Sequence, residues 1–92
     1  MLSQEQQQRY SRQILLPEIG ESGQEKLGAS RVLIAGLGGL GSLSSLYMSG
    51  AGVGTLRIAD NDVVSLSDLN RQILYTEADL GRIKTRAAAE RL

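Results

Sequence analysis

Two apolar runs stand out from a mostly polar chain, Val32-Leu33-Ile34-Ala35 and Thr55-Leu56-Arg57-Ile58-Ala59. The first is short and unbroken, as in a buried strand. The second alternates, so that Leu56 and Ile58 share one side as a period of two requires. Between them Leu40, Leu43, Leu46, Tyr47 and Ala51 recur at helical spacing, and glycines at 50, 52 and 54 punctuate the exit. The pattern predicts a β-α-β unit, two parallel strands joined by a crossover helix. A right-handed crossover brings the turn after the second strand beside the turn after the first.

The flanks are less periodic. Ser3 and Gln6 have the spacing of a helix start, which predicts a helix over residues 3–13 before Pro17 interrupts it. In that arm Tyr10 is a candidate for pinning it to the body, with Ile14, Leu15 and Leu16 as the apolar contact. Residues 23–27 predict a second brief helix ended by Gly28. Residues 63–75 read as an ordered, pocket-lining loop with one short helical turn, and residues 82–92 as a helix. The expected organisation is a helical arm over residues 1–30 and an incomplete Rossmann-like domain over residues 31–92. Two strands are too few to bury both faces of a parallel sheet, and the final helix stops without Gly, Asn or Pro, so the remainder of the domain is expected after Leu92.

Composition narrows the chemistry. Ten basic and ten acidic residues give a formal net charge of zero over 92 residues, which offers no general attraction to nucleic acid or an anionic membrane. Eight of the ten cations are Arg, a residue suited to planar recognition of carboxylates and phosphates. With neither Cys nor His, this chain holds no disulfide, thiolate or imidazole site, leaving carboxylates, Arg and Lys as its charged functional groups. The polar N-terminus is unlike a signal peptide, and a cytoplasmic protein is the expectation.

Candidate chemistry gathers at the strand ends. Gly36-Leu37-Gly38-Gly39-Leu40-Gly41 follows the first strand and opens the helix, the arrangement in which glycines let a backbone approach phosphates and a helix N-terminus faces them. Asp60, with Asp62 beside it, closes the second strand 19 residues beyond Gly41, where a carboxylate can accept hydrogen bonds from ribose hydroxyls. Arg71 and Lys84 add two cations suited to charge building on phosphorus and a departing pyrophosphate. As isolated residues, Arg71, Lys84 and the arginines of the arm equally fit a solvated surface.

Taken together, Arg9-Tyr10-Ser11-Arg12-Gln13, the glycine loop, Asp60-x-Asp62, Leu69-Asn70-Arg71-Gln72 and Gly81-x-x-Lys84 closely resemble the start of the ThiF/MoeB/HesA family, relatives of the ubiquitin-activating enzymes. The resemblance covers essentially the whole chain. It implies an adenylyltransferase, in which the C-terminal glycine carboxylate of a ubiquitin-like sulfur carrier of the ThiS or MoaD kind attacks the α-phosphate of ATP. An acyl-adenylate forms as pyrophosphate leaves. It further implies a nucleotide site drawn from Gly36, Gly38, Gly39, Gly41, Asp60, Asp62, Ser67, Asp68, Leu69, Asn70, Arg71 and Lys84. Within it, Gly39 lies against the nucleotide, Asp60 holds the ribose, and Asn70, Arg71 and Lys84 address the phosphates. Arg12 resembles an arginine finger that reaches the opposite site of a homodimer.

Asp68 departs from the family, which commonly has Asn there, and so brings a negative charge towards the phosphates unless it faces away or helps hold a metal ion. Mg²⁺ is expected with ATP, its protein ligand beyond Leu92, and structural Zn²⁺ belongs only to paired Cys-x-x-Cys motifs that this chain lacks. Two other readings fit the glycine loop: a nicotinamide-dependent oxidoreductase using Asp60 on the ribose, and a non-catalytic nucleotide-binding or dimerising module.

Overall fold

The computed structural model describes all 92 residues. In chain order it has α1 (Gln4–Arg9), α2 (Ser11–Ile14), α3 (Gly20–Ala29), β1 (Arg31–Ala35), α4 (Gly39–Ala51), β2 (Thr55–Ala59) and α5 (Lys84–Arg91), with 3₁₀ turns at Leu66–Asp68 and Glu77–Asp79. The two strands pair in parallel, Val32 opposite Leu56 and Ile34 opposite Ile58. The predicted β-α-β unit is thus present, and the loop after β2 contains the expected short turn. No helix is long and apolar enough to cross a membrane.

One face of the sheet carries the core. Ile34, Leu37, Val64, Leu74, Tyr75, Ala87 and Ala88 form one buried cluster, against which Val32, Leu46, Met48, Leu56, Ile58 and Leu92 pack. Burying a leucine such as Leu37 stabilises the fold by roughly 1.5–3 kcal/mol, so the tip of the glycine loop is itself part of what holds the unit together. The opposite face is uncovered, with Leu33 67% exposed. Parallel sheets ordinarily have both faces covered, and the two strands fall short of that, as their number predicts.

Four local expectations are corrected. The arm is two helices, because Tyr10 leaves helical geometry at φ −104° and ψ 13°. Its ring rests against Gly52 at the end of α4, which pins the arm as expected. The apolar contact expected from Leu15 and Leu16 is absent, however: both are exposed. Polar contacts replace it, since Gln13 Nε2 and Gln24 Nε2 donate to the Ala51 carbonyl at 2.8 and 3.0 Å, and Gln13 also donates to Gln24 Oε1. Ala51 lies in the last turn of α4, whose terminal carbonyls lack intrahelical partners.

The second helix is longer than predicted, running through Gly28 to Ala29 and closing at Ser30, whose N–H donates to the Leu27 carbonyl and whose hydroxyl donates to that of Lys26. In α4 the apolar stripe faces the core only in part: Leu46 packs there, but Leu40, Leu43 and Tyr47 do not. Leu40 is 86% exposed, and Leu43 and Tyr47 are exposed too, whereas Ser42 and Ser45 are wholly buried. Close approach explains the inversion: a Cβ on Gly41 would stand 1.7 Å from the Gly36 carbonyl oxygen, so only small residues fit on the side of α4 that meets the loop.

Candidate nucleotide site

The site starts from a turn that needs glycine. Gly36 has φ +98°, a left-handed conformation costly for other residues. Its N–H donates to the Ala59 carbonyl at 2.7 Å, so the loop leaves β1 still bonded to the end of β2. Leu37 then turns into the core, and its carbonyl accepts a 2.8 Å hydrogen bond from the buried Tyr75 hydroxyl. Gly38 caps α4 without a side-chain hydrogen bond, leaving the first turn of that helix free to receive an anion.

Asp60 stands beside this loop, as the crossover argument requires. Oδ2 accepts from the Leu37 N–H at 2.7 Å and Oδ1 from the Asp62 N–H at 2.8 Å. The Leu37 amide is the main cause that holds this carboxyl below the usual carboxylate range; partial burial opposes it, and the Asp62 amide and Lys84 charge assist. Each oxygen keeps a lone pair for a hydroxyl donor.

Arg71 lies over the glycine loop, its Cδ and Nε both 3.9 Å from where a Cβ on Gly39 would be. Its guanidinium donates to the Ser67 carbonyl at 3.0 Å and to Asn70 Oδ1 at 3.2 Å, and no carboxylate pairs with it. Ser67 and Asn70 are therefore positioning groups for the arginine in this geometry, while Leu69 packs against the core.

Lys84, at the start of α5, is buried, its side chain 5% exposed. Its ammonium is 3.5 Å from Asp68 Oδ2, 4.0 Å from Asp62 Oδ2 and 6.0 Å from the centre of the Tyr75 ring. The solvated-surface alternative does not apply to it. Asp68 is held from the Ser65 turn and from Gln72: Oδ2 accepts from the Ser65 N–H and hydroxyl at 3.0 and 3.1 Å, and Oδ1 from Gln72 Nε2 at 3.2 Å. The Ser65 amide is the main reason its carboxyl lies below the usual range.

The structure thus brings together the glycine loop, Asp60, Asp62, the Ser67 to Arg71 segment and Lys84. It does not bring Arg12 to them. Arg12 sits on the arm fastened to the C-terminal end of α4, a helix about 20 Å long at 1.5 Å per residue, while the loop is at the other end.

Two residues of the site were not singled out by sequence reasoning. Tyr75 joins the loop to the Lys84 environment, and desolvation, with the charges of Asp60, Asp68 and Asp79, pushes its hydroxyl up to about 12. Gln72 is buried under the loop, its Nε2 3.8 Å from where a Gly38 Cβ would be and its Oε1 without a partner. The sequence signal for Gln72 was its place in Leu69-Asn70-Arg71-Gln72; Tyr75 had none beyond being an aromatic residue ending a polar loop.

A parallel β-α-β unit with a glycine loop, a strand-end Asp and two nearby cations defines a Rossmann-like nucleotide-binding unit. Its sequence matches the ThiF family over residues 10–92, and the chain belongs to that family. It is 58% identical over 84 residues to the sulfur carrier protein ThiS adenylyltransferase of Escherichia coli (strain K12), covering 91% of this chain and 34% of that protein. Among solved structures it resembles PaaA, with a TM-score of 0.88 and 41% identity over 98% of this chain and 30% of that one. It also resembles E. coli MccB crystallised with ATP, at TM-score 0.81 and 34% identity, over 90% of this chain and 26% of that one. The chain therefore spans about a third or less of each.

Proposed function

We propose that the protein binds ATP in the glycine loop and adenylates the C-terminal glycine carboxylate of a ubiquitin-like sulfur carrier. The observation that carries this reading is the pair of cations at one loop: Arg71 over Gly39 with no carboxylate partner, and Lys84 held in the wall behind. A carboxylate attacking an anionic phosphate must overcome repulsion, and fixed cations reduce it where charge develops. The carrier carboxylate forms an oxygen–phosphorus bond to the α-phosphate, the α–β bridging bond breaks, and pyrophosphate departs with the electron pair. No covalent enzyme intermediate is required. The similarity to a ThiS adenylyltransferase and to MccB with ATP supports both the nucleotide and the adenylyl-transfer class.

In this reading Asp60 receives the ribose, and the backbone of residues 36–41 with Arg71 and Lys84 receives the phosphates. Arg12 acts across a homodimer, since its arm is fastened at the far end of α4 from its own loop. Mg²⁺ accompanies ATP on its phosphate oxygens. No three acidic residues of this chain cluster as a metal site, and Zn²⁺ has no Cys or His here to bind.

The test is exchange of labelled pyrophosphate into ATP. Exchange that requires a carrier with a free terminal glycine carboxylate supports the reading. Exchange without the carrier, or a site that binds NAD and not ATP, overturns it.

A further inference from the structure

Lys84 presents an electrostatic problem that the site must solve before any nucleotide arrives. An ammonium 5% exposed needs a counter-charge, because desolvating a lone cation is expensive. The two carboxylates near it differ. Asp62 is 71% exposed and 4.0 Å away; Asp68 is nearly buried and 3.5 Å away. Asp68 is also the better anchored, its two oxygens taking hydrogen bonds from the Ser65 amide, the Ser65 hydroxyl and Gln72.

Neither distance is that of a tight charge-assisted hydrogen bond, which closes to about 2.7–2.9 Å. The ammonium is balanced between two anions and locked to neither, on a flexible four-carbon stem. Asp68 has three other donors and no freedom to follow it. Lys84 is therefore the member of the pair that moves, and a phosphate oxygen is the competitor that would draw it.

We propose that Asp68 is an internal stand-in for a nucleotide phosphate: it holds the Lys84 ammonium ready and yields it to the incoming polyphosphate, and in doing so lowers the affinity of the site for phosphate-bearing ligands. The inference rests on the ATP reading of the glycine loop. Asp68 is a positioning residue, acting through Lys84, and its charge is what distinguishes it from an asparagine, which could accept the same Ser65 hydrogen bond.

The experiment measures dissociation constants for ATP, AMP and adenosine by calorimetry, with wild-type protein and Asp68→Asn. Removing the competing charge should tighten ATP binding roughly tenfold, equivalent to about 1.4 kcal/mol, AMP by less, and adenosine not at all. A change shared equally by the three ligands marks a purely structural role and overturns the proposal, as does unchanged or weaker ATP binding. If neither protein binds any of the three, the nucleotide reading itself falls and takes this inference with it; binding by the wild type with no gain in the variant removes the inference alone. A measurement on the unsubstituted chain covers the case in which Asp68→Asn fails to fold. The only lysines are Lys26 and Lys84, so the ε-methylene NMR signal of Lys84 can be followed directly. ATP should shift it and adenosine should not; ATP binding that leaves it unmoved refutes the handover.

Discussion

The Asp60 carboxylate and the Leu37 amide are joined at 2.7 Å, which ties the end of β2 to the tip of the glycine loop. The same carboxylate also takes the Asp62 amide, so one side chain fixes two turns that converge on the site. Asp60→Ala leaves both N–H groups without that acceptor and should lower the unfolding free energy by about 1–2 kcal/mol. Asp60→Asn, with one carbonyl oxygen, should lose less. Urea unfolding of the two variants checks the order; an alanine variant as stable as the wild type would remove Asp60 from any structural role.

The acidic groups set the pH range of stability. Asp60, Asp68 and Asp79 each have a folded-state pKa below the ordinary value, chiefly through backbone amides of Leu37, Ser65 and Thr76. Their contribution is present above the unfolded carboxylate pKa, about 4, and is lost as pH falls through the depressed folded values. Tyr75 acts in the opposite sense: raised from 10.0 to about 12, its contribution is complete below 10 and is lost as pH rises towards 12. Melting temperature should be level between roughly pH 5 and 9 and decline on both sides. Tyr75→Phe should be less stable at neutral pH, having lost the hydrogen bond to Leu37, and should show a shallower alkaline decline.

The glycine loop contains two different requirements. At Gly41 a Cβ would stand 1.7 Å from the Gly36 carbonyl, whereas at Gly39 the nearest atoms, on Arg71, are at 3.9 Å. Gly41→Ala should therefore destabilise the protein by about 1–3 kcal/mol, the usual range for overpacking. Gly39→Ala should melt close to wild type yet bind ATP weakly, because the methyl group fills space under Arg71 where phosphate approaches. Thermal melts with and without ATP separate the two effects. Equal destabilisation by both substitutions would contradict this assignment.

How far the sequence could be read depended on the range of each interaction. The glycine loop of residues 36–41 and Asp60 were legible because their chemistry is local to strand ends, and the Ser3 and Gln6 helix start formed as a reciprocal cap. The orientation of α4 was not legible: periodicity marks where Leu40, Leu43 and Tyr47 lie, but the buried side is set by the approach of the helix to Gly36, which favours Ser42 and Ser45. The Gln13 and Gln24 bonds to Ala51 and the Asp68 contact with Lys84 join residues well separated in sequence. No pattern within a window of the chain encodes such pairings. Asp68 was noticeable as a charge in an unusual place, but its direction came only from the Ser65 turn that holds it.

The arm supplies the sharpest test of assembly. Gln13 and Gln24 fasten it to Ala51, so Arg12 is anchored by its neighbour to the end of α4 away from the loop. An arginine that served its own site would require these bonds to break and the arm to cross the length of the helix. Arg12→Ala and Lys84→Met should each abolish adenylation when assayed alone. Mixed in equal amounts and allowed to exchange subunits, they should recover about a quarter of wild-type activity, because half the dimers are then mixed and each mixed dimer has one intact site. Gln13→Ala should weaken activity without loss of ATP binding, since it frees the arm while leaving the loop untouched. No recovery on mixing, with subunit exchange verified by mass spectrometry, would mean that Arg12 does not act across the dimer and would leave the arm a role in association alone.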